Sequence, residues 1–264
     1  MTDLVKTAHD GAITTLTLNR PEKMNALDID LMHALVATGE ALMDRKGLRA
    51  VVLRGEGGVF CAGLDISAMG KIAAFAAKEG GIMRRSHGIS NLFQRVSTLW
   101  ADMPVPVIAA IDGYAFGGGL QIALGVDIRV AAPGAKLSVM EAKWGLVPDM
   151  GGMVAMRRLL RADIMARLTY TGEIFDAQAA LSWGLVTELA EDPLARASEL
   201  AHEIATRSPD AVRAAKGLLH EATYLDDADL LLAEARAQES LIGKPNQMEA
   251  VMASFEKRTP SFDD

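Results

Sequence analysis

Two stretches of small residues place bare backbone where it can do chemistry. One is Phe60-Cys61-Ala62-Gly63-Leu64-Asp65-Ile66; the other covers 111–121 and is centred on Gly117-Gly118-Gly119. In both, an apolar strand-like run leads into small residues and then into a helix. Small residues let ligand atoms approach the main chain, and the N–H groups at a helix start favour negative charge. Two N–H groups aimed at one oxygen form an oxyanion hole, in which a single donor is worth roughly 3–4 kcal/mol. Taken singly, each stretch fits a tight turn or close helix packing equally well. Neither is a phosphate loop, because GxxxxGK[ST] is absent and no GxGxxG lies in a clean βαβ unit.

Side chains able to move protons lie downstream. Glu141 is followed eight positions later by Asp149, with Met140, Met150 and Met153 nearby as core packing. The alternative role for Asp149 is to cap the helix expected over 153–160, and for Glu141 a surface ion pair. Cys61 has no neighbouring histidine or cation to activate it and reads as a small core thiol. The five histidines are scattered, without HxH, HExxH or CxxC, which argues against a metal site.

The elements that must position these groups follow from residue patterning. Residues 12–18 (AITTLTL) follow an Asp10-Gly11 turn signal and read as a strand closing a hairpin. Asp28 caps a helix running to Arg45, and 50–53 (AVVL) is a buried strand. A short strand ends at Cys61; a helix over 89–100, a strand over 107–111, a short helix and a strand over 126–131 come next. This alternation indicates an α/β layered core. Strand signals vanish near 190–195, and the remainder is helix-forming, so the expected division is a core over 1–194 and a helical region over 195–264. Those helices either pack on their own core or form a subunit interface.

The 264 residues carry 27 basic and 34 acidic side chains, a formal charge of -7, which argues against nucleic-acid binding. No apolar run approaches the roughly 18 residues of a membrane span, and Met1-Thr2-Asp3-Leu4 lacks a signal-peptide start. With a single cysteine, the chain is expected to be soluble and cytoplasmic.

Taken together the motifs resemble the enoyl-CoA hydratase/isomerase (crotonase) family. An FxAGxDI signature is met by Phe60, Ala62, Gly63, Asp65 and Ile66, and a GYAxGGG element by 113–119. The resemblance extends to Leu18-Asn19-Arg20-Pro21, Asn25-Ala26-Leu27, 141–151, Thr171-Gly172, 179–186 and Glu256-Lys257-Arg258. It implies a crotonase-like spiral of ββα turns whose C-terminal helices build a homotrimer or a dimer of trimers. It further implies an acyl-CoA substrate whose thioester oxygen sits between the Leu64 and Gly118 amides. Coenzyme A, as part of the substrate rather than a cofactor, would lie beside Arg20, Lys23, Ala26, backbone around Ala62, and Asp65. Lys257 would reach a phosphate, from its own or a neighbouring subunit.

The chain also departs from the pattern. Family hydratases hold a water between two glutamates, at positions that correspond here to Gln121 and Glu141. A neutral amide orients a water but cannot take its proton. The Glu141/Asp149 spacing resembles the dienoyl-CoA isomerase branch, although that branch also carries an acid at position 121. The expectation is therefore double-bond isomerisation of unsaturated acyl-CoA, with Glu141 as principal acid/base, Asp149 as second shuttle and Gln121 as orienting partner. The alternatives are trans-2-enoyl-CoA hydration and a catalytically weak acyl-CoA binding protein.

Overall fold

A computed structural model describes residues 3–78 and 81–264. Strands β1 (Val5–Asp10) and β2 (Ile13–Leu18) form the expected hairpin, with Asp10 opposite Ile13. Helix α1 (Ile29–Met43) starts where Asp28 accepts a hydrogen bond from the Leu31 amide. Then follow β3 (Ala50–Gly55), α2 (Met69–Lys78) and α3 (Leu92–Asp102), whose start is a capping box between Asn91 and Gln94. The segment ending at Cys61 is no strand; Cys61 makes an isolated bridge to Ala115.

The glycine cluster lies between β4 (Val107–Ile111), β5 (Tyr114–Phe116) and α4 (Gly118–Leu124). Beyond it come β6 (Ile128–Ala131), β7 (Lys136–Ser138), α5 (Gly152–Leu159), α6 (Ala162–Thr171), β8 (Phe175–Asp176), α7 (Ala177–Trp183) and β9 (Glu188–Leu189). Helices α8 (Pro193–Ala205), α9 (Pro209–Glu221), α10 (Asp227–Leu241) and α11 (Pro245–Glu256) complete the chain.

The main sheet has the order β1-β2-β3-β4-β6-β9, antiparallel only between β1 and β2, and β5-β7-β8 form a second sheet. Side-chain alternation splits the core into two layers. Val51, Leu53, Val107 and Ala109 face α1 and α3, whereas Ala50, Val52, Ile108 and Ala110 face Ala197 and Ala201 of α8. Helix α8 thus covers the sheet's second face, the first of the two arrangements open to the helices of the 195–264 region. Helix α9 is tied down by Lys216, whose Nζ donates to the Trp100 and Val105 carbonyls and to Asp127. By contrast, α10 buries none of its residues in the single chain.

Candidate active site

The 60–65 segment runs between two others. On one edge, the Ala62 amide donates to Met24 O, Leu27 N to Gly63 O at 2.7 Å, and Asp65 N to Leu27 O at 2.9 Å. On the other, Phe60 N and Cys61 N donate to Asp112 and Tyr114 carbonyls, and Phe116 N donates to Cys61 O. A trans peptide unit points its C=O and N–H in opposite directions. With the Gly63 carbonyl committed to Leu27, the N–H of that same unit, which belongs to Leu64, points to the Phe116–Gly118 side. Among the described residues it has no hydrogen-bond acceptor.

Gly118 opens α4, so its N–H is one of the amides a helix start leaves without an intrahelical partner. The approach of the two segments depends on glycine. A Cβ on Gly63, where φ is +91°, would lie 2.8 Å from the Phe116 carbonyl oxygen and 3.7 Å from Gly118 N. A Cβ on Gly119 would collide with the Cys61 carbonyl.

Next to this pair stands Glu141, in a short 3-10 turn (Glu141–Trp144) that follows β7. A Cβ on Gly117 would lie 3.3 Å from Glu141 Oε1, so the carboxylate abuts the turn that presents Gly118. Gln121, on α4 and 2% exposed, donates from Nε2 to Glu141 Oε1 at 2.6 Å. Its own Oε1 accepts from the amides of Met150 and Gly152, both at 2.9 Å. Those two donors occupy both lone pairs of the amide oxygen, so Gln121 is held with its NH₂ toward Glu141. Glu141 Oε2 is buried and has no hydrogen-bond partner among the described residues.

Burial raises the pKa of Glu141; the hydrogen bond from Gln121 opposes that rise, and the nearby charge of Asp149 adds to it. Asp149 is exposed to solvent, yet neighbouring protein surrounds its carboxyl enough that desolvation raises its pKa too. It does not cap α5, whose N-cap is Gly151 with no side-chain bond. The buried Cys61 thiol is pushed up to about 12 by desolvation, which leaves it a packing group. Among the described residues no cluster of His, Cys, Asp and Glu is arranged for a metal ion.

Arg20 is engaged within the protein: Nη2 pairs with Asp65 at 2.8 Å and Asp28 at 3.2 Å, and Nη1 donates to the Ala26 carbonyl at 2.8 Å. Lys23 is exposed on the same turn, Ala26 is buried, and Ala62 donates to Met24. Lys257 is the left-handed C-cap of α11, exposed and without a described contact to the site. Sequence reasoning missed the Met150 and Gly152 amides that lock Gln121, because backbone donors leave no residue signature. It also missed Asn25 as a buried pin: its side chain accepts from Arg20 N and donates to the Glu56 and Val59 carbonyls.

Residues 8–264 match the enoyl-CoA hydratase/isomerase family. The chain is 32% identical over 257 residues to a mitochondrial methylglutaconyl-CoA hydratase of Mus musculus, covering 95% of this chain and 79% of that protein. A short-chain-enoyl-CoA hydratase of Clostridium acetobutylicum is 32% identical over 253 residues, with 94% and 93% of the two chains covered. The crystal structure of an enoyl-CoA hydratase from Bacillus anthracis superposes with a TM-score of 0.90 at 29% identity, covering 98% of each chain. Fold and sequence together define an enzyme of acyl-CoA chemistry built on the crotonase spiral. The chain belongs to the enoyl-CoA hydratase/isomerase family.

Proposed function

We propose that the chain isomerises double bonds in unsaturated acyl-CoA thioesters through an enolate. In this reading the thioester oxygen accepts from the Leu64 and Gly118 amides, which take up the negative charge as a proton leaves the adjacent carbon. Glu141 removes that proton through Oε2, the oxygen not engaged by Gln121. Asp149 returns a proton further along the conjugated chain, so no water is gained or lost.

One observation favours isomerisation over hydration. Hydration requires a water whose protons are accepted while an oxygen lone pair stays free to attack. Because Met150 and Gly152 hold the Gln121 oxygen, the side chain offers a site water only an N–H, which would occupy a lone pair of that water and accept nothing. Glu141 is then left as the single acceptor at this point. The hydratase names of the relatives favour the second reading, addition of water to a trans-2-enoyl-CoA. A panel of saturated, enoyl and dienoyl thioesters, with products resolved by mass and chromatography, separates the two. The isomerase reading requires products of unchanged mass; gain of one water as the dominant outcome overturns it, and binding without turnover points to an acyl-CoA binding protein.

Two variants probe the carboxylates. Asp149→Asn is expected to cut isomerisation at least tenfold, with acyl-CoA affinity kept within about threefold. Equal loss of affinity and turnover would remove Asp149 from the site. Gln121→Glu gives a water a second acceptor and is expected to raise the hydration-to-isomerisation ratio about tenfold. Its carboxylate would also sit against Glu141 and raise the Glu141 pKa further, moving the acid limb to higher pH. An unchanged product ratio would mean that position 121 does not face the reacting water.

The apolar side chains left exposed on α10 and α11, among them Leu231, Leu232, Met248 and Phe255, support assembly through that region, as the family resemblance implies for a homotrimer.

A further inference from the structure

We infer that Arg20 is a positioning residue that orients and polarises the Leu64 amide through two peptide units, not a ligand of the coenzyme A phosphates. The inference rests on the enolate reading above, in which Leu64 N–H is an oxyanion donor.

The connections form an unbroken line. Arg20 Nη1 donates to the Ala26 carbonyl at 2.8 Å. The N–H of that peptide unit belongs to Leu27 and donates to the Gly63 carbonyl at 2.7 Å. The N–H of the next unit belongs to Leu64. Both bonds run in one direction, each carbonyl accepting while the amide of its own unit donates onward. A chain of this polarity strengthens its terminal donor, because each accepted bond draws electron density away from the N–H that follows. A guanidinium at the head makes the first bond charge-assisted. The positive end of the line is thus delivered to the point where negative charge develops on the thioester oxygen.

The surroundings of Arg20 hold it to this task. Nη2 lies between Asp28 and Asp65, and the other oxygen of each carboxylate is fixed, Asp28 by the Leu31 amide and Asp65 by the Ser67 amide and hydroxyl. The main chain of Arg20 is pinned as well, its amide donating to Asn25 Oδ1 at 2.8 Å. The cluster of one cation and two carboxylates carries a net negative charge, so an approaching phosphate meets repulsion. Asp65 adds a second tie to the same strand, since its amide donates to Leu27 O and holds the far side of Leu64.

The test compares two substrates with the same acyl group, one the coenzyme A thioester and the other the pantetheine thioester, which has no phosphate. Arg20→Gln should lower kcat about tenfold on both, with KM for the coenzyme A thioester changed less than threefold. Asp65→Asn should lower kcat on both substrates in the same proportion to each other. Arg20→Lys keeps the charge with a single donor group and should recover part of the loss. Thermal melting of each variant above the assay temperature establishes that folded protein is compared; should Arg20→Gln fail to fold, Arg20→Lys and Asp65→Asn carry the comparison. A rise in KM confined to the coenzyme A thioester, with pantetheine turnover unchanged, overturns the inference and makes Arg20 a phosphate ligand. Failure of the unaltered chain to turn over either thioester overturns the enolate reading, and this inference with it.

Discussion

Glu141→Gln is expected to lower turnover of the best thioester substrate by about 10³-fold while acyl-CoA still binds within about threefold of its original affinity. The loss is large because the proton next to a thioester is weakly acidic, and Gln121 has no basic atom to substitute. The binding is kept because the replacement is isosteric and the side-chain partner of the Glu141 carboxylate is Gln121. An amide at 141 can still present its oxygen to Gln121 Nε2, so the local geometry should persist. The pH profile provides an independent reading. Since burial raises the Glu141 pKa, the unaltered protein should lose activity on acidification at a pH above the ordinary glutamate value of 4.5. The direction follows from the need for an ionised base: below the raised pKa Glu141 is protonated and cannot accept. Retention of more than a tenth of the activity in Glu141→Gln would transfer the base role elsewhere.

Gly63→Ala is expected to lower kcat by 10²-fold or more, roughly the loss of one oxyanion donor. Its Cβ would press on the Phe116 carbonyl at 2.8 Å, and the left-handed φ of +91° strains any side chain there. Relief requires the 63–64 and 116–118 segments to part, which separates the Leu64 and Gly118 amides. Gly58→Ala supplies the control: φ is +71°, but a Cβ would have no atom within 4 Å. Backbone strain of roughly 1–3 kcal/mol should lower the melting temperature of both variants. Only Gly63→Ala should lose kcat beyond what its stability change accounts for. Equal kinetic behaviour of the two would mean that the spacing at Gly63 does not matter to the chemistry.

Much of this arrangement was legible because period-2 and helix-start signals act locally. The Asp10-Gly11 turn, the Asp28 cap, the strand over 107–111 and the helix after Gly151 lie within a few residues of where patterning puts them. The short strand expected before Cys61 failed because that segment bonds to two different neighbours, Met24–Leu27 on one edge and Asp112–Phe116 on the other, without a continuous ladder. Residue patterning leaves open whether the helices after 195 pack on the core or form an interface; for α8, Ala197 and Ala201 pack against the sheet. Gln121 was recognisable as a departure from pattern, but the direction in which its amide faces depends on Met150 and Gly152 amides 29 and 31 residues away. At Arg20 the sequence shows only a basic residue in a family motif; that its guanidinium pairs with Asp28, a helix cap, and with Asp65 of the 60–66 segment depends on contacts that residue spacing does not reveal.

The proposed chemistry requires one carbonyl oxygen to accept from both Leu64 N–H and Gly118 N–H. A crystal structure of the protein with a bound, unreactive saturated acyl-CoA measures this directly. The thioester oxygen is expected roughly 2.7–3.1 Å from both nitrogens, with Glu141 Oε2 facing the adjacent carbon. A thioester oxygen held by a side chain or solvent, with either amide turned elsewhere, would contradict it.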